Sequence, residues 1–206
     1  MIPYSTQILP PPAAADQRVK VLSQHPFEWL KEENYLAFAT LVREQVPENE
    51  RMPLIAGQAT FLRSRGGYAE VTRYMDRIAA TPAERVACVE QMARSVTQAI
   101  IHEKPMTRED LETLREWTTR QAPDSTGRIT GKALADAMRY GRKLDFATAS
   151  ELALHYHQAS GNDDVLISFL DDSSGSENTE QARALAAKIT DAKRREEILK
   201  KLQSPG

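Results

Sequence analysis

The chain has one cysteine, Cys88, among its 206 residues. A single thiol excludes an internal disulfide framework and points to a reducing compartment. Long apolar runs are also missing: none approaches the roughly 18–20 residues of a membrane span, so no membrane partner is expected. The first residues, MIPYSTQILPPPAAADQ, lack both the basic-then-apolar order of a secretory leader and the Arg-rich pattern of a transit peptide, so a cytoplasmic location is expected. Net charge is close to balance, at −2, which excludes a general attraction to nucleic acid or to anionic lipid. No phosphate-binding glycine loop, zinc-ligand spacing or nucleophile elbow occurs. No catalytic residue and no cofactor-binding residue is therefore expected, and the chain is read as a non-enzyme.

What the sequence does have is helical periodicity. Apolar residues make up 41% and charged residues 27%, the balance of a globular chain with an ordinary core. Leu36, Ala39, Val42 and Val46 recur at steps of three and four, as do Val71, Tyr74, Met75 and Ile78, and then Val86, Val89, Ala93, Val96 and Ile100. Pro53 suits the first turn of a helix, and the pair Gly66-Gly67 is expected to close that helix. Thr81, Pro82 and Glu84 form a T-x-x-E capping box at a helix start, and Thr107 with Asp110 repeats the device. Few segments alternate as strands do. The expected class is all-α.

The expected organisation is a Pro-rich tail over 1–16, a helical region over 17–104, a helix-loop-helix pair over 105–172, and a polar linker with a C-terminal helix over 173–206. An α-solenoid of helical hairpins is the alternative. Arg51 and Arg85 lie 34 positions apart, as in helical-hairpin repeats, but Arg85 to Arg128 spans 43.

Residues 122–134 read APDSTGRITGKAL. With Gly127 at the sixth place of a twelve-residue loop, Ile129 is eighth, Thr130 ninth, and Leu134 lies in an exit helix. Downstream, SGNDDVLISFLDD places Ile167 at the corresponding eighth position of a loop starting at Ser160. These two segments resemble a degenerate EF-hand pair of the calmodulin-like superfamily, over about residues 107–172. The resemblance implies that Ile129 and Ile167 pair the two loops. The first loop has alanine at positions 1 and 12, so it is not expected to bind calcium. The second retains Asn162, Asp164 and Asp171 at ligand positions, which implies at most weak calcium binding. It has Val165 where glycine is wanted, and little room for an exit helix before the linker SSGSENTE.

Charge is unevenly spread. Arg128, Lys132, Arg139, Arg142 and Lys143 form a basic stretch, and residues 145–180 carry eight acidic side chains with no lysine or arginine. Either these neutralise one another in the fold, or the basic stretch meets an acidic protein or RNA. His155 and His157 point about 200° apart on a helix and do not converge on a metal. Cys88 is read as core packing. The terminal helix, with Ala182, Leu185, Ala186 and Ile189 on one side, is expected to pack on its own domain, with docking on a partner as the alternative. The functional expectation is a helical protein-protein interaction subunit or adaptor in a larger assembly, using a calcium-independent EF-hand-like module. The alternatives are a weak calcium-responsive regulator and a nucleic-acid-associated helical subunit.

Overall fold

The structure, a computed structural model, describes residues 31–98, 106–140, 144–173 and 179–203. Among these, every regular element is helical, so the fold is all-α and the solenoid alternative is not needed. The α-helices are α1 (Tyr35–Gln45), α2 (Glu48–Arg77), α3 (Pro82–Thr97), α4 (Arg108–Gln121), α5 (Thr126–Arg139), α6 (Phe146–Ser160), α7 (Asp164–Ser173), α8 (Thr179–Ala186) and α9 (Ala192–Lys201). Their lengths run from 8 to 30 residues without a repeating hairpin unit. None of the described helices is long and apolar enough to cross a membrane. The Pro-rich tail, Arg142 and Lys143 lie outside the described residues.

The chain divides into two compact units, Met1–Met92 and Ala93–Gly206. In the first, α1 buries Tyr35, Phe38, Ala39 and Val42. Ala39, Val42 and Val46 of the expected stripe are buried, but Leu36 is 56% exposed, and Tyr35 and Phe38 take the core in its place. Burying Tyr35 and Phe38 removes more apolar area from water than burying Leu36 would. Tyr35 stacks edge-on against Tyr74, with ring centroids 5.1 Å apart, and its hydroxyl donates to Glu70 at 2.5 Å. Helix α2 begins at Glu48, so Pro53 lies inside it and not in its opening position. At Gly66 and Gly67 the backbone leaves helical geometry, with Gly67 at φ 60°. The pair breaks the helix as expected, because only glycine adopts that conformation readily.

The capping box of α3 also forms, with Thr81 N–H donating to Glu84 Oε2 at 2.9 Å and Glu84 N–H donating to Thr81 Oγ1 at 3.3 Å. The same Glu84 takes a bidentate contact from Arg43, at 2.9 and 2.6 Å, while a third Arg43 nitrogen donates to the Ile78 carbonyl. Burial works against ionised Glu84, and the Arg43 and Thr81 contacts outweigh it, leaving the carboxyl below its ordinary range. Cys88 is fully buried, and burial with Glu84 nearby pushes its thiol up to about 12. It is a packing residue.

In the second unit, α5 is the innermost helix. Ile129, Ala133, Leu134, Ala135 and Ala137 are all buried. It crosses α7 at Gly131, where an added Cβ would stand 2.2 Å from the Val165 carbonyl oxygen and 2.9 Å from the Phe169 amide nitrogen. Only a residue without Cβ permits two helix backbones to approach so closely. Helix α6 ends at Gly161, which takes the left-handed conformation at φ 66°. After a turn of Gly161, Asn162 and Asp163, the chain enters α7.

Candidate interaction face

The two segments read as calcium loops are α-helical over most of their length. Helix α5 starts at Thr126 and α7 at Asp164. Gly127, Ile129 and Thr130 are therefore helical, and so are Ile167 and Asp171. Gly127 has no positive φ. Ile129 and Ile167 sit in two helices that approach closely at Gly131, and in this structure both have helical backbone in place of a strand-like bridge. The exit helix that the second loop seemed to lack is α7 itself, ten residues long. The physical reason lies in the missing ligands. With alanine at both ends of the first loop, no cation organises it, and T-G-R-I-T-G-K-A-L-A-D-A is free to take the helix that buries its apolar stripe.

The candidate metal ligands separate accordingly. Asp164 and Asp171 are seven residues apart on α7, about 10 Å along the axis. Each meets a cation of α9: Arg194 Nη2 lies 2.7 Å from Asp164 Oδ1, and Lys201 Nζ lies 2.7 Å from Asp171 Oδ1. Asn162 Oδ1 accepts the Asp164 N–H at 2.8 Å, an Asx contact at the start of α7. The set Asn162, Asp164, Asp171 does not converge in this structure, since Asp171 stands about two turns of α7 beyond the other two. Among the described residues no group of three or more His, Cys, Asp or Glu side chains could hold a metal ion.

The basic stretch is drawn partly toward α7 as well. Lys132 Nζ is 4.0 Å from Asp172 Oδ2, and Arg139 donates to the Asp172 carbonyl. Arg128 is exposed on α5. The acidic α7 is thus flanked by basic side chains of α5 on one side and α9 on the other, the neutralising arrangement of the two expected from charge.

The pairings with α9 define a register. Asp164 with Arg194 and Asp171 with Lys201 advance together along both helices, so α9 runs parallel to α7. Arg194, Ile198 and Lys201 share one face of α9 at i, i+4 and i+7. Ile198 is buried between the two cations. On α7, Ser168 lies against Gly131 of α5, and Ile167 is half-buried.

A third acid fixes the turn that makes the parallel course possible. The single C-terminal helix expected over 179–202 is instead two helices, α8 and α9, separated at Thr190 and Asp191. Asp191 caps α9, its carboxylate accepting from the Lys193 and Arg194 amides at 3.0 and 3.1 Å. Asp163, in the α6–α7 turn, accepts from Thr190 N–H at 3.0 Å, Thr190 Oγ1 at 2.7 Å and Asp191 N–H at 2.8 Å. His157 Nδ1 lies 3.6 Å from Asp163 Oδ1 and 3.2 Å from the Asn162 carbonyl. Burial opposes the charge on Asp163, but these hydrogen bonds and His157 outweigh it, so the carboxyl lies below its ordinary range. Sequence reading does not single out Asp163, which falls on a non-ligand position of the supposed loop. The signal available was the T-D pair at 190–191, a helix-start signature inside a supposedly continuous helix.

Elsewhere in this unit, Tyr156 is buried beside the Glu112 carboxylate, which together with burial pushes its phenol up to about 12. The Arg115 guanidinium lies over its ring at 5.0 Å. His155 is exposed while His157 is buried, so the two rings do not share a site. Comparison of the chain with protein-family models, curated proteins and solved structures gives no match.

Proposed function

We propose that the chain is a non-enzymatic helical interaction module, a cytoplasmic subunit or adaptor that joins a larger protein assembly without calcium. The observation that carries this reading is the α7 face. Two of its carboxylates, Asp164 and Asp171, are engaged by Arg194 and Lys201 of a helix lying alongside. Such a face recognises a helix, by charge at the two ends and an apolar residue between. Full burial of Cys88 fits a protein kept in a reducing compartment and not a thiol enzyme.

The reading is tested in an extract of cells expressing the chain at its native level, by size-exclusion chromatography with immunodetection. Elution well above the 23.1 kDa of the chain, unchanged by a calcium chelator, is the expected result. Elution at the monomer position in every buffer, or an assembly that collapses on chelation, would count against it.

A further inference from the structure

The C-terminal helix pair occupies the α7 face in cis, and its mode of attachment carries an inference beyond its presence there. Helices of 8 and 10 residues are marginal on their own in water. The pair contributes a short list of buried apolar side chains: Ala182, Leu185, Ala186, Ile189 and Ile198. Its two ion pairs are substantially exposed, with Arg194 and Asp164 at 42% and 31% and Lys201 and Asp171 at 60% and 39%. Exposed pairs of this kind add little stability, and what they supply is register and direction. A buried polar attachment is made by Asp163, which holds the Thr190–Asp191 turn. A segment held by a buried latch and a thin apolar strip belongs at the low end of the stability range within a domain.

We propose that residues 179–203 are a detachable cap latched by Asp163, and that the α7 face they cover accepts in trans a basic amphipathic helix of the same chemistry: two cations seven residues apart with a branched apolar residue between them. The cis occupant specifies the partner. A helix bearing Arg or Lys at positions 1 and 8 and Ile, Leu or Val at position 5 satisfies Asp164 and Asp171 in the parallel register that α9 uses. A nucleic acid does not, because the groups presented are carboxylates. The proposal rests on the interaction reading above and names the face and its regulation.

The test uses the full chain and a fluorescein-labelled peptide of residues 179–203. Hydrogen exchange on the full chain at neutral pH is expected to show the α8 and α9 amides exchanging at least tenfold faster than those of α5. Equal protection of the cap and α5 would overturn the proposal. In fluorescence anisotropy, the peptide is expected to bind the Ile198→Asp chain at least tenfold more tightly than the unaltered chain. Thr190→Val in the chain, which weakens the latch of the cis cap while the peptide keeps its own Thr190 for Asp163, is expected to act in the same direction. The double reversal Asp164→Arg with Asp171→Arg, placed in either opened chain, should abolish binding, and a peptide carrying R194D and K201D should restore it. Failure of both opened chains to bind, or binding indifferent to charge reversal, would overturn the proposal. The interaction reading is judged by the native assembly, so a chain that assembles yet ignores its own cap peptide separates the two failures.

Discussion

Gly131 and Gly57 are both helical glycines, and the same substitution has opposite consequences at the two. At Gly57 nothing lies within 4 Å of an added methyl. Alanine there removes backbone freedom from the unfolded chain and is expected to raise stability by about 0.5–1 kcal/mol. At Gly131 the methyl would meet the backbone of α7. The helices must separate, and the expected loss is about 1–3 kcal/mol despite the better propensity of alanine. Urea melts of the two variants check the pair; a stabilising Gly131→Ala would mean that α5 and α7 do not cross so closely. Two buried aspartates make a second contrast. Asp163 has its folded-state pKa below the unfolded value of about 3.9. Its contribution is complete above that unfolded value and is lost as pH falls through the folded one. Asp163→Asn is therefore expected to cost about 2–3 kcal/mol at pH 7 and progressively less in acid. Asp136 is raised by burial, with Asp172 adding to it, against the Gln98 hydrogen bond and the cations Lys132 and Arg139. Its contribution is present below the unfolded pKa and lost as pH rises through the folded one, so Asp136→Asn should stabilise at pH 7 and be neutral at pH 3. Melts at pH 3 and 7 distinguish the two signs.

At the scale of elements, what the sequence made legible followed from local chemistry. Both capping boxes form where Thr81 and Thr107 place them, since a cap is satisfied within four residues. The Gly66-Gly67 break and the buried stripes of Val71, Tyr74, Met75 and Ile78 and of Ala182, Leu185, Ala186 and Ile189 are equally local, each depending on backbone freedom or on the 3.6-residue period. The errors have a different source. Leu36 was favoured over Tyr35 and Phe38 because periodicity fits two adjacent faces, and only the partner Tyr74 decides between them. The calcium-loop reading and the helices of this structure differ because a loop held by a cation and a helix held by packing place similar residue types at similar spacings. Gly131, four residues after Gly127, carries the decisive contact with α7, and nothing local marks it. Asp191 is the local signal that the reading passed over. Removing its cap by Asp191→Ala is expected to cost about 1 kcal/mol and to raise the exchange rate of α9 amides above that of α6. Equal rates for α9 in the variant and the unaltered chain would show that the cap does not set where α9 begins.

For the whole molecule the near-zero net charge conceals an uneven distribution of charge along the chain. The acidic α7 meets Lys132 of α5 and Arg194 and Lys201 of α9, so three of its carboxylates have a cation beside them. A divalent cation would have to displace Arg194 and Lys201 from carboxylates about 10 Å apart, and would gain only one carboxylate at each end. That competition is unfavourable, because a cation of this kind needs six or more oxygens converging within about 2.6 Å. Titration with calcium, followed by the fluorescence of Trp117 buried in α4 and by calorimetry, is expected to give no saturable change up to several millimolar, and magnesium should behave identically. Added sodium chloride should act differently: by screening the exposed pairs it is expected to speed hydrogen exchange in α8 and α9 while leaving α5 unaltered. A saturable calcium-specific signal lost in Asp164→Ala would restore the sensor reading. Salt that loosened α5 and α9 alike would mean that the ion pairs hold the whole unit together and do not merely set the register of its last two helices.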